Sequence, residues 1–292
     1  MAMRMYDIID KKKKGSELTP KEITYMVEGY VAGEIPDYQV SAFLMAVYYE
    51  GMSEKELSVF TDSMAKSGDM VDLSQIKGIK VDKHSTGGVG DKTTLAVAPL
   101  VAACGGRVAK MSGRGLGFTG GTIDKLESIP GMQTAISEER FFEIVNDIGL
   151  SVIGQSAEIA PADKKLYALR DVTATVDSIP LIAASIMSKK LASGSDKIVL
   201  DVTVGSGAFM KNIDDAICLA QRMVEIGENA GRQTVAILTN MDVPLGEAVG
   251  NDIEVVEAIE TLQGKGPEDF RQICVEFAAY MLYLGEIADL ET

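Results

Sequence analysis

The sequence predicts an α/β fold: a small helical unit at the N-terminus, then short buried strands alternating with helices around a largely parallel or mixed sheet. Three observations predict it. Before about residue 68 the apolar residues repeat only at helical spacing. From about Gly78 short apolar runs alternate with loops and helical patterns. Two Gly-rich loops each follow a strand-like run, at the carboxyl ends where parallel sheets collect their ligands. With 292 residues and 46% hydrophobic content, the chain can bury one large core or two smaller ones.

The elements follow in order. Thr19-Pro20-Lys21-Glu22 supplies the N-cap, N1 proline and N3 glutamate of a capping box. Ile23, Met26, Val27, Tyr30 and Val31 then repeat at helical spacing until Gly33. A second helix follows Pro36, with Val40, Phe43, Leu44 and Val47 on one face, and stops near Gly51. A third begins at Ser53, has Glu56 three residues on, and carries Leu57, Phe60 and Met64. Lys11-Lys12-Lys13-Lys14 reads as a solvated charged turn. Strands are expected at 79–81, 107–111, 151–154, 197–202 and 234–238, and a capped helix runs from Ser137 to Gly149. Helical patterns at 161–170 and 178–191 have no strand between them, and the pattern alone does not say where they pack. A last helical stretch covers 267–284.

The chemistry concentrates in the loops. Ser112-Gly-Arg-Gly-Leu-Gly-Phe-Thr-Gly-Gly-Thr122 leads into a helix start at Ile123 and combines five glycines with hydroxyl donors at Ser112, Thr119 and Thr122. Such a loop brings backbone N–H groups close to a ligand, and a helix start adds a positive dipole end, which suits an anion. Lys83-His84-Ser85-Thr86-Gly87-Gly88-Val89-Gly90-Asp91-Lys92-Thr93-Thr94 is a second loop of this kind, so the two read as sharing one anionic ligand. The net charge of −15 excludes nucleic acid as a natural partner and makes the cluster of Lys83, Lys92, Lys110 and Arg114 read as locally assembled positive potential. No apolar run is long enough to span a bilayer, and 1–14 lacks the apolar segment of a signal peptide. Cys104, Cys218 and Cys274 lie in apolar, helix-like contexts without metal-type spacing and read as reduced core residues of a cytoplasmic protein.

These two loops, with Tyr167-Ala-Leu-Arg170-Asp171 and Ser185-Ile-Met-Ser-Lys189-Lys190, closely resemble the thymidine and pyrimidine-nucleoside phosphorylases, and the resemblance extends over nearly the whole chain. It implies phosphorolysis of a nucleoside such as uridine, thymidine or deoxyuridine to free base and (deoxy)ribose 1-phosphate, with inorganic phosphate as co-substrate and no organic cofactor. The phosphate cradle expected from the residues, and implied equally by the resemblance, is Lys83, Ser85, Thr94, Lys110, Ser112 and Thr122; the resemblance adds His84 and Met111. His84, the chain's one histidine, would donate toward a pyrimidine carbonyl as negative charge builds there. Tyr167 and Arg170 share a helix face, as do Ser185 and Lys189. The resemblance puts Arg170, Ser185 and Lys189 on the base, with His84, Arg170 and Lys189 as the catalytic group. It also implies a potassium ion held by Gly90, Lys92, Leu245, Ala248 and Glu257; Lys92 stands where some relatives carry threonine, which is tolerable if the position contributes its carbonyl oxygen and weakens cation binding if its ammonium lies nearby.

The resemblance further implies one discontinuous helical domain (1–67 and 161–193) and an α/β domain (68–160 and 194–292), an active-site cleft between them, and a homodimer formed through the helical domain. Family members continue beyond the equivalent of Thr292. The expectation is therefore that the chain folds and keeps both constellations, leaves a sheet edge open or an apolar face uncovered, and turns over slowly. The rival readings are a phosphoribosyltransferase of related architecture, such as the anthranilate enzyme, and a catalytically weak short form that binds phosphate or nucleoside.

Overall fold

The computed structural model describes residues 3–115 and 120–290, and the chain divides into two compact units. Gly117 and Thr119, part of the second Gly-rich loop, lie outside the described residues.

The helical unit comprises Met1–Val71, Ser156–Gly194 and Gln221–Gly231. Its N-terminal part holds α1 (Met5–Lys12), α2 (Pro20–Val31), α3 (Asp37–Glu50) and α4 (Glu54–Ala65). The capping boxes form as their spacing predicts. Thr19 Oγ1 accepts from Glu22 N and Ser53 Oγ from Glu56 N, while each glutamate reaches back to its cap N–H. Ile23, Met26, Val40, Phe43, Leu57 and Phe60 are fully buried. Further along the chain, α8 (Pro161–Val172) and α9 (Ile179–Ala192) pack against α2 and α4 respectively. The lysine run differs from expectation. Its first half closes α1, and Lys12 is buried with Nζ 2.9 Å from both Glu56 oxygens. A charge pattern reads as solvated because its partner, 44 residues away, is invisible locally.

The α/β unit comprises Asp72–Gln155, Ser195–Ala220 and Arg232–Thr292. It contains β1 (Val81–Ser85), α5 (Thr93–Ala103), β2 (Val108–Ser112), α6 (Thr122–Glu127), α7 (Glu138–Ile148) and β3 (Leu150–Gly154). After the second helical segment come β4 (Lys197–Val204), β5 (Gln233–Asn240), α11 (Asn251–Leu262) and α12 (Glu268–Leu284), with α10 (Ile213–Asn229) divided between the units. All strand pairs are parallel: β1–β4–β5 form one sheet and β2–β3 another, and a parallel bridge from Lys80 to Arg107 joins them. Phe270, Phe277 and Met281 of α12 pack with Val97 and Val101 of α5 and Val199 of β4.

The first strand runs further than its apolar pattern. Lys83, His84 and Ser85, expected to open a loop, are the last three residues of β1. Charged residues stay in this strand because opposite charges on neighbouring strands compensate them: Lys83 pairs with Asp201 of β4, and Asp82 with Lys110 of β2.

Candidate functional site

In the α/β unit the predicted phosphate residues gather at strand ends and the helix starts that follow. Ser85 ends β1 and Ser112 ends β2, Thr94 lies in the first turn of α5, and Thr122 begins α6; all four are half-buried. Ser85 Oγ accepts from Gly87 N at 3.0 Å, which turns the chain after the strand. His84 is half-buried, and alternation along β1 sends its side chain to the face opposite Lys83 and Ser85. Met111 is buried in β2.

Lys83 is 2% exposed. Its ammonium donates to Asp201 Oδ2 at 2.7 Å and to Thr93 Oγ1, and lies over the Phe277 ring. Thr93 in turn donates to Asp91, and Thr239 to Asp201, both at 2.7 Å. Burial works against the Lys83 charge, but Asp201 and Asp91 outweigh it and hold its pKa above the ordinary lysine value. Burial likewise pushes the Asp91 carboxyl up, yet Lys83, the Ser85 and Thr93 hydroxyls and Lys125 bring it well below the ordinary carboxylate range. Lys110 Nζ lies 3.0 Å from Asp82 Oδ1 and donates also to the Lys83 carbonyl. Arg114 is paired with Asp124 and Glu127. Each of the four clustered cations, expected to assemble positive potential, has a carboxylate partner, Lys92 with Glu257 included. Asp124 also accepts from Gly115 N at 2.7 Å and Gly121 N at 3.2 Å, so it binds the described ends of the Gly-rich loop together.

Gly90, Lys92, Leu245, Ala248 and Glu257 converge as predicted, but their donor set does not fit an added potassium ion. Lys92 Nζ donates to the Leu245 carbonyl at 2.6 Å and to Glu257 Oε2. Glu257 Oε1 accepts from Glu247 N and Ala248 N. Beside this, Lys125 Nζ reaches the Asp91 carbonyl at 2.5 Å and Glu254 at 2.8 Å, so two buried lysines fasten the 89–94 turn to α11 and the loop before it. Lys125 and Thr93 carried no functional weight in the sequence; their type and spacing resemble any helix residue, and only the fold reveals their partners.

In the helical unit, α8 carries Tyr167 and Arg170 and α9 carries Ser185 and Lys189. Arg170 is buried, and Nε, Nη1 and Nη2 donate to the carbonyls of Thr175, Leu181 and Val176 at 3.2, 3.0 and 2.7 Å. Its guanidinium stacks on Tyr167, 5.7 Å from the ring centroid. Burial lowers the Arg170 pKa from its ordinary value. The arginine thus closes the α8–α9 connection, a role that helix-face reasoning did not foresee. Lys189 donates to Asp163 Oδ2 at 2.7 Å, and the other oxygen of this buried carboxylate has no hydrogen-bond partner among the described residues. That orphan acceptor beside a lysine is the kind of place a ligand N–H fits.

The family model for the glycosyl transferase family a/b domain matches residues 77–291, and that for its helical bundle domain matches residues 6–68. The chain belongs to the glycosyl transferase family. Among similar members, the pyrimidine-nucleoside phosphorylase of Geobacillus stearothermophilus is 60% identical over 286 residues, covering 98% of this chain and 66% of that protein. The same-named protein of Staphylococcus epidermidis strain RP62A matches with the same identity and coverage. This family member therefore spans 66% of the length of those curated relatives. A solved anthranilate phosphoribosyltransferase from Thermus thermophilus superposes with a TM-score of 0.76 at 18% identity, covering 97% of this chain and 90% of that one, a likeness of fold.

Proposed function

We propose that this chain phosphorolyses pyrimidine nucleosides, converting uridine, thymidine or deoxyuridine and inorganic phosphate to the free base and (deoxy)ribose 1-phosphate. The observation that carries the reading is 60% identity, along 98% of the chain, to proteins named pyrimidine-nucleoside phosphorylase. The reaction needs an anion cradle, a grip on the base, and stabilisation of the charge that the departing base acquires.

In this reading the hydroxyls of Ser85, Thr94, Ser112 and Thr122 contact phosphate, with Lys83, Lys110 and the Met111 backbone beneath them. The paired lysines hold strands and turn in place and moderate the repulsion between a net-acidic protein and an anion. Ser185 and Lys189 bind the pyrimidine, and the orphan Asp163 oxygen supports this by offering an acceptor to a ring N–H. Arg170 and Tyr167 shape that pocket, and the remaining guanidinium N–H groups face the same task. His84 donates as the base leaves. Phosphate arrives already anionic, so no carboxylate nucleophile and no organic cofactor enter the reaction. A homodimer through the helical unit is part of the reading, supported by exposed Tyr6, Tyr38 and Tyr49 on α1 and α3. A cytoplasmic setting is supported by three free cysteines.

The test is base release from uridine and thymidine, followed by absorbance, with and without inorganic phosphate. Release only with phosphate is expected. Conversion of a free base with phosphoribosyl pyrophosphate would instead make the chain a phosphoribosyltransferase. Binding of both ligands without turnover would make it a binding protein.

A further inference from the structure

Lys92 immediately precedes α5, and its side chain is wholly inaccessible to solvent. Besides Leu245 O and Glu257 Oε2, its ammonium faces the Phe270 ring, 5.2 Å from the centroid. A carbonyl, a carboxylate and an aromatic face are what a desolvated monovalent cation binds. The surrounding chain is shaped around that charge. Gly246 has φ 68°, and a Cβ there would lie 2.9 Å from Lys92 Nζ and 2.4 Å from Glu257 Oε2. Gly90 has φ 77°, and a Cβ there would lie 2.9 Å from the Leu245 carbonyl. Side chains at either position would push the cage apart.

We infer that the Lys92 ammonium is a tethered substitute for a monovalent cation, so that this chain holds its 245–248 loop against the 89–94 turn without binding potassium. An ammonium group matches potassium closely in charge and radius. With the Glu257 charge already balanced, a second cation beside Nζ would meet repulsion in a site that water does not screen. The inference stands apart from the phosphorolysis reading, because ion binding and melting are read without substrate.

The test compares the purified chain in potassium chloride and choline chloride at equal ionic strength. Wild type should melt within about 1 °C in the two salts and bind no thallium(I), the NMR-visible potassium mimic. Lys92→Thr removes one partner of a buried pair and should melt about 5–15 °C lower in choline. Potassium should restore much of that loss, with saturable thallium(I) binding. A potassium-specific rise in wild-type melting, or a Lys92→Thr protein that ignores potassium, would overturn the inference. If Lys92→Thr fails to fold in both salts, the wild-type comparison decides alone.

Discussion

Removing the Ser112 hydroxyl should weaken phosphate far more than it weakens the fold. Ser112 ends β2 half-buried, and a hydrogen bond to a charged group contributes about 1.5–3 kcal/mol, so Ser112→Ala should raise the phosphate Kd roughly ten- to a hundredfold. Calorimetric titration with phosphate, beside a melting curve that barely moves, checks both halves. Cys274 gives a second residue-scale expectation. Burial pushes its thiol from an ordinary value of about 9 to about 12, against a smaller downward pull from Lys83. The folded thiol therefore stays protonated where the unfolded one ionises. The stability it contributes is complete below about pH 9 and falls as pH rises toward 12. Of the three cysteines expected in the core only Cys274 is buried; Cys104, just past the end of α5, is exposed, so native alkylation at pH 8 should label Cys104 and spare Cys274, and Cys274→Ala should flatten the alkaline loss of stability. At this scale residue types were legible in the sequence and their partners were not. Lys83 meets Asp201 across 118 residues, and nothing in the local pattern around Lys83 points there.

Among the elements, the caps were legible because capping is local. Thr19, Ser53 and Ser137 each cap the helix they were assigned, and Gly149 adopts φ 85° after α7. Losing the Ser53 hydroxyl should cost about 1 kcal/mol in chemical denaturation. What the pattern missed was α1. Lys12 lies against Glu56, which also accepts from Leu18 N and Ser53 N, so this ion pair seats α1, the following turn and the α4 cap at once. Lys12→Met should destabilise by about 3–5 kcal/mol, and adding Glu56→Gln should return part of that by removing the stranded charge. Equal stability of Lys12→Met and wild type would show that the pair is dispensable. The extension of β1 through Ser85 was hidden for the same reason, because strand propensity at Lys83 and His84 is weak until paired neighbours are counted.

For the whole molecule, the alternation of strands and helices gave the parallel α/β class, since period and punctuation are written locally along the chain. The electrostatic plan was only half legible. A net charge of −15 is visible in composition, whereas the pairing of Lys83, Lys92, Lys110 and Arg114 with carboxylates depends on the fold. A cradle with compensated cations relies on hydroxyl geometry and helix starts, and so should bind phosphate with weaker salt dependence than a bare lysine cluster. The phosphorolysis reading is tested most directly by phosphorus NMR of the chain with thymidine and inorganic phosphate. The inorganic phosphate signal should fall as a deoxyribose 1-phosphate signal grows in equal amount with released thymine. Thymine released with the phosphate signal unchanged, or no thymine at all, would contradict it.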